Sequence, residues 1–142
     1  MAAFLISATG WVRDAARLGA VRRAVFIDEQ GVPEEMEWDA HDAVSAHWLA
    51  IAEDGSPIGC ARLLPDGHIG RMAVLPAWRG RGVGRALLAA ILRAAQERGH
   101  RTLMLSAQTH AAGFYARAGF AVVGEEYEEA GIPHVAMRKS LP

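Results

Sequence analysis

The stretch Ala77-Trp78-Arg79-Gly80-Arg81-Gly82-Val83-Gly84-Arg85 joins two segments of different periodicity. Upstream, His68 to Leu75 is a short apolar run with Ile69 and Val74 in it, stopped by Pro76, which is the pattern of a strand. Downstream, Val83, Leu87, Leu88, Ile91, Leu92 and Ala95 recur at helical spacing, with Arg85, Arg93, Gln96 and Glu97 largely opposite. A strand therefore feeds a loop with glycine at every second position, and the loop becomes the first turn of a long helix. That turn carries backbone N–H groups without partners and the positive end of the helix dipole. Glycines remove the Cβ atoms that would hold an anion away, and Arg79, Arg81 and Arg85 add charge. The stretch reads as an anion cradle, and phosphate is the expected anion.

Around this loop lies a chain of ordinary globular composition. Its 142 residues are enough to bury a core without disulfides or metal, and residues 1–142 read as one domain. About half are hydrophobic (51%), and the net charge of −1 argues against non-specific nucleic-acid binding. Cys60 is the one cysteine, so no internal disulfide can form and a reducing compartment is expected. The start, Met1 to Ile6, is apolar but has no basic leader and is too short for a signal sequence or span, so a cytoplasmic location is expected, with no membrane partner. The six histidines lack metal-ligand spacing, and no metal is expected.

Charge is segregated along the chain. From Ala24 to Ala61 there is no Lys or Arg against nine acids (Asp28, Glu29, Glu34, Glu35, Glu37, Asp39, Asp42, Glu53, Asp54). From Arg62 to Arg117 nine arginines face only Asp66 and Glu97, and Glu125, Glu126, Glu128 and Glu129 form a second acidic cluster. A protein joining a polyanionic cofactor to a cationic acceptor would have this pattern, and so would solvated charges segregated by chance.

The order of elements follows from periodicity and turn chemistry. Phe4 to Ser7 is a first strand; a helix from Thr9 or Gly10 buries Val12, Ala15, Leu18, Val21 and Val25 and turns Arg13, Arg17 and Arg22 outward. It ends before Gly31 and Pro33, and Glu34 to Trp38 forms a short helix or turn. Strands follow at Ala46 to Ala52, Pro57 to Leu64 and His68 to Leu75, joined by turns at Asp54-Gly55 and Pro65-Asp66-Gly67. The long helix stops at Gly99, Thr102 to Ser106 is a fifth strand, and Thr109 caps a helix ending at Gly119. Two last strands hold Ala121 to Val123 and Val135 to Met137. The class is α/β (α+β), a mixed central sheet of about seven strands flanked by about four helices.

The glycine loop is not a P-loop, because no Gly-Lys-Ser/Thr follows, and its G-x-G-x-G differs from the dinucleotide G-x-G-x-x-G. Arg79-x-x-Gly82-x-Gly84 resembles instead the R/Q-x-x-G-x-G/A signature of the GNAT N-acetyltransferase superfamily. A second stretch, Gln108-Thr109-His110-Ala111-Ala112-Gly113-Phe114-Tyr115-Ala116-Arg117-Ala118-Gly119-Phe120, is similar to that family's N-x-x-A-x-x-L-Y-x-x-x-G-F pattern, with Gln108 at the Asn position. A small Ala111 lets the helix approach a ligand, Tyr115 projects about one turn later, Gly119 ends the helix and Phe120 anchors the next strand. Residues 29–33, 107–109 and 129–134 further resemble the YjcF-like and ElaA-like bacterial branch. The element order matches the GNAT fold over nearly the whole chain.

The resemblance implies an N-acetyltransferase that moves the acetyl group of acetyl-CoA directly to a primary amine. The acceptor would be a cationic small molecule or a peptide or protein amine. Family members are commonly dimers, so a homodimer is open. Implied contacts of coenzyme A are Arg79, Gly80, Arg81, Gly82, Val83, Gly84 and Arg85 for the pyrophosphate, with Gln108, Ala111 and Tyr115 beside the cofactor. Backbone N–H groups of Met72, Ala73 and Val74 would polarise the thioester carbonyl; in the family this strand bulges and splays from the fifth, and pantetheine lies in the gap. Tyr115 is the candidate acid for the thiolate, since a phenol with a pKa of about 10 is protonated at neutral pH. Glu29 and His134 are the candidate bases, because family substrate sites lie near the end of the first helix and the last hairpin; each has an ordinary structural reading as well. Cys60 could suggest a covalent thiol route, but no His–Asp pair accompanies it.

Two other readings of the chain differ in class. A CoA-binding sensor without turnover would have no need of Tyr115. An RGG-like nucleic-acid contact at residues 79–82 lacks flanking aromatics beyond Trp78.

Overall fold

The structure is a computed structural model and describes residues 3–142. Its strands are β1 (Phe4–Thr9), β2 (Ala46–Ala52), β3 (Pro57–Leu63), β4 (His68–Val74), β5 (Thr102–Gln108), β6 (Ala121–Glu129) and β7 (Ile132–Ser140). The helices are α1 (Trp11–Arg22), continued by a π-helical segment Arg23–Glu29, then α2 (Glu34–Glu37), α3 (Val83–Glu97) and α4 (Ala112–Ala116). The strands form one seven-stranded sheet in the order β1-β2-β3-β4-β5-β7-β6. Every neighbouring pair is antiparallel except β4 and β5, which are parallel. That exception follows from connectivity: β4 and β5 are joined across α3, and a crossover helix returns the chain in the same direction. The expected mixed sheet with four helices is the observed one.

Each sheet face is covered by its own apolar set. Val83, Leu87, Leu88, Ile91 and Ala95 of α3 pack on Trp48, Ala50, Ile58, Ala61, Leu63, Leu103 and Leu105. On the opposite face Leu18, Val21 and Val25 pack on Leu49, Cys60 and Ala73. Trp48 and Ala50 go one way and Leu49 the other, the period-two alternation of a strand covered on both sides. Gly59 is where α3 comes closest to β3: a Cβ there would lie 3.1 Å from Val83 Cγ1 and 3.2 Å from both Leu87 Cδ1 and the Ala73 carbonyl oxygen. Gly59→Ala is therefore expected to destabilise the fold by about 1–3 kcal/mol through overpacking, measured by denaturant titration.

The first helix departs from its expected face in two ways. Val12, expected in the buried stripe, is 97% exposed. Asp14 sits in a non-helical conformation (φ −127°, ψ 24°), where its carboxylate accepts from Thr9 and Arg17. This kink resets the rotational phase, so the first turn buries Trp11 against His47 instead of Val12. Arg22, expected to face outward, is 1% exposed. The segment holding Glu37, Asp39 and Asp42 folds back over it, so the side of α1 away from the sheet is roofed by carboxylates. Arg22 Nε donates to Glu37 Oε2 (2.8 Å) and Nη1 to Asp42 Oδ1 (2.7 Å), with the Trp11 and Trp38 rings beside the guanidinium.

The last strands are longer than their apolar cores suggest. Ala130 (φ 52°) and Gly131 (φ 74°) close a tight β6–β7 hairpin in the left-handed geometry that matches strand twist. Thr109 makes no cap: it begins a 3₁₀ turn, Thr109–Ala111, and α4 opens at Ala111 without a side-chain bond.

Candidate active site

β4 and β5 begin as a pair, His68 with Met104 and Ile69 with Leu105, and then separate. From Gly70 to Val74 on one strand and Ser106 to Gln108 on the other there is no cross-strand partner. A gap thus opens in mid-sheet, lined by main-chain groups that an extended ligand could pair with.

A bulge re-aims β4 at this gap. Cys60 pairs with Ala73 and Arg62 with Gly70, so Arg71 and Met72 together oppose Ala61 alone. Arg71 takes a positive φ of 49°. The extra residue places Met72 in the same apolar cluster as Ile69 and Val74, which is why the strand lacks strict alternation in sequence. Leu75 N–H bonds to Ile58 O on the β3 side, and Ala73 stands two residues earlier in the same register. By alternation Ala73 N–H also faces β3, whereas Val74 presents its main-chain groups to the gap.

The glycine loop lies at the end of this strand. Gly80 (φ 75°) and Gly82 (φ 85°) are both left-handed, and a Cβ on either would meet nothing within 4 Å. The backbone geometry demands glycine at these two positions, and the space above them is open. Gly82 caps α3 without any side-chain bond, and the first intrahelical bond is Ala86 N–H to Gly82 O at 3.0 Å. The N–H groups of Val83, Gly84 and Arg85 are left for a ligand. Gly84 is tucked under Phe114, with a Cβ position 3.5 Å from its Cζ. Arg85 is exposed, and Arg81 stacks on Trp78, 5.2 Å from the ring centroid. Positive-φ glycines over open space, an uncapped helix start and adjacent guanidinium groups fit a pyrophosphate.

Arg79 is engaged elsewhere. It donates to both oxygens of Glu29 (2.7 and 2.6 Å) and through Nε to the Val74 carbonyl (3.0 Å). The guanidinium bond holds the Glu29 carboxyl below its ordinary range. Glu29 is thus a weak proton acceptor, and the pair ties the end of the first helix to the glycine loop.

Tyr115 stands on the α3 face, its ring edge-on to Phe114 and Phe120, and its hydroxyl donates to Met72 Sδ at 3.7 Å. Burial pushes this phenol up to about 12. On the opposite face Gln108 Nε2 donates to Gln30 Oε1 (2.8 Å), and His110 Nε2 lies 2.7 Å from Gln108 Oε1. His134 is the cross-strand partner of both Gln108 and Tyr127, and so shares their face. It is 7% exposed, stacks on Tyr127, and donates from Nδ1 to the Ile132 carbonyl at 2.6 Å. That bond leaves Nε2 as the free ring nitrogen, 3.8 Å from Glu129 Oε2. Ser106 and Tyr127 hydroxyls bond to each other beside it. Cys60 is fully buried and its thiol is pushed up to about 12, so it is no nucleophile.

Residues 12–141 match the acetyltransferase (GNAT) domain family. The chain belongs to the GNAT acetyltransferases. Among its relatives, the uncharacterized N-acetyltransferase YjcF of Bacillus subtilis is 38% identical over 123 residues, covering 84% of this chain and 87% of the relative. Protein ElaA of Escherichia coli is 33% identical over 129 residues, covering 85% and 84%. The crystal structure of Escherichia coli ElaA superposes with a TM-score of 0.86 at 31% identity, over 96% of this chain and 99% of that one. An acyl-CoA N-acyltransferase from Pseudomonas aeruginosa gives 0.87 at 32% identity, over 97% and 100%. The relatives fall in the branch that residues 29–33, 107–109 and 129–134 resemble. No helix among the described residues of this GNAT chain is long and apolar enough to cross a membrane.

The charge pattern has a different source from the one expected. Glu37, Asp39 and Asp42 are bonded to Arg22, Arg62 and Arg71, Glu29 to Arg79, and Glu34 to Arg23. Five of the nine acids in the arginine-free stretch are thus matched by guanidinium groups from elsewhere. The acids of β6 (Glu125, Glu126, Glu128, Glu129) remain exposed.

Proposed function

We propose that this chain transfers the acetyl group of acetyl-CoA to a primary amine, by direct attack and without a covalent enzyme intermediate. The single observation carrying this reading is the separation of β4 from β5 directly before an uncapped, glycine-opened helix start. A diphosphate on Gly80 to Arg85 would let its pantetheine arm run into the gap, where free strand groups can pair with its amides. Ala111 lies just before α4, beside the same arm, as the family motif implies.

In this reading the residues divide the work by sheet face. The Val74 N–H polarises the thioester carbonyl, with Met72 beside it; Ala73, whose N–H faces β3, only packs. Tyr115 approaches from the α3 face and gives its proton to the departing thiolate. It is suited to this because its raised pKa keeps it neutral throughout the working pH range. His134 approaches from the other face, and its free Nε2 takes the proton from the amine. Glu29 serves instead to fix Arg79. Gln108 and Gln30 form the floor between the two sides. The exposed acids of β6 lie next to His134 on the same hairpin, which supports a cationic small molecule or peptide amine as acceptor.

Acetyl-CoA should raise the melting temperature by about 5–10 °C at one hundred times its Kd, through preferential binding to the folded state. NAD and ATP should not. An equal shift with all three would overturn the cofactor reading. A panel of amines assayed for free CoA then tests turnover, and binding without release from any of them would leave a CoA-binding module.

A further inference from the structure

Arg71 is the non-glycine residue in the bulge of β4 with a left-handed backbone, and it stands one position before the Met72 that touches Tyr115. L-residues with a side chain beyond Cβ enter this region at a cost and persist there when the surroundings hold them. Here the holding groups are specific. Arg71 Nε lies 3.0 Å from Glu37 Oε2, and Nη2 lies 3.0 Å from Asp39 Oδ2 and 3.1 Å from the Glu37 carbonyl. The Arg71 carbonyl in turn accepts from the Cys60 thiol at 3.2 Å. Main chain and side chain of one residue are therefore pinned to two different elements.

The groups that grip Arg71 are themselves fixed. Glu37 also receives Arg22 Nε, while Asp39 and Asp42 both receive Arg62 Nη1 at 2.8 and 3.0 Å. Three guanidinium groups and three carboxylates form a closed, neutral cluster joining α1, the segment after α2, β3 and β4. Nothing in this cluster reaches the gap, the glycine loop or Tyr115. Its one outlet toward them is the backbone of residue 71.

We propose that Arg71 is a positioning residue for acyl transfer. Resting on the acetyltransferase reading above, it sets the bulge that aims Val74 N–H into the gap and Met72 against Tyr115. The grip of Glu37 and Asp39 holds that geometry. Loss of the grip lets the bulge relax toward regular pairing. Such a shift moves donors by about an ångström, which lowers turnover by about 10- to 100-fold while the pyrophosphate cradle stays intact.

The test compares Arg71→Ala with Arg71→Gly in the full chain. Both lose the guanidinium, but glycine adopts a positive φ without strain. Arg71→Ala should lower kcat about 10- to 100-fold with KM for acetyl-CoA within about threefold of wild type, and Arg71→Gly should recover a large part of that loss. Because a cluster that served stability alone would lower the melting temperature of both variants and leave kcat per folded molecule unchanged, each rate is normalised to folded protein. Asp39→Asn, which leaves Arg71 folded against Glu37, should give an intermediate kcat. Wild-type kcat in Arg71→Ala, or equal losses in the alanine and glycine variants, would overturn the proposal. Calorimetric titration of wild type with acetyl-CoA separates this from failure of the cofactor reading: no binding there sinks the reading, whereas binding and turnover unaffected by Arg71→Ala sink the positioning role alone.

Discussion

Gly82→Asp is expected to lower acetyl-CoA affinity by about 100- to 1,000-fold. The carboxylate would enter the open space above the first turn of α3, where a Cβ meets no atom within 4 Å. A diphosphate in that space would face a like charge, and such juxtapositions cost several kcal/mol in binding. The backbone adds a smaller strain, since φ at this position is 85°. Because the site is open, the free protein should keep its fold, with a melting temperature within a few degrees of wild type. Calorimetric titration checks both halves. Unchanged affinity would remove the cradle from the glycine loop, and a collapsed melting temperature would mean that the glycine serves the fold instead.

Tyr115→Phe should cut kcat by about 100-fold or more while leaving acetyl-CoA affinity unchanged, the pattern of a group that acts only as charge develops on sulfur. The ring contacts with Phe114 and Phe120 survive the substitution, and only the bond to Met72 Sδ is lost. The pH dependence has a definite sign. A phenol raised to about 12 stays protonated through neutral and moderately alkaline pH, so Tyr115 contributes no fall in rate below about pH 10. A wild-type rate in the phenylalanine variant would remove the acid role. An alkaline fall near pH 9 that disappears in Tyr115→Phe would mean that the phenol ionises far below the value its burial implies.

What was legible in the sequence follows from how far the information had to travel. The strand, the glycine loop and α3 are consecutive, and turn chemistry plus a clean helical period locate them. The bulge was hinted at by the broken alternation of Ile69-Gly70-Arg71-Met72-Ala73-Val74, although burial on both faces would have left the same trace. Arg22 could not be read as buried, because its partners Glu37 and Asp42 lie 15 and 20 residues downstream and only the folded chain brings them over α1. Val12 misled for a local reason, as no periodicity argument foresees the phase change at Asp14. Glu29 was correctly located near the loop, yet its bond to Arg79 spans 50 residues and changes what the carboxylate can do. His134 became interpretable only with the register that sets it opposite Gln108.

The π-helical segment Arg23–Glu29 has a consequence for how this chain can vary in length. Its wider winding closes through bonds such as Gln30 N–H to Val25 O at 3.1 Å, reaching five residues back. Removing one residue there would restore ordinary winding and swing everything beyond it by about 100° around the axis. Glu29 would leave Arg79 and Gln30 would leave Gln108, both severed by one deletion that touches neither side chain. Substitutions can be absorbed in this stretch position by position, but an indel cannot.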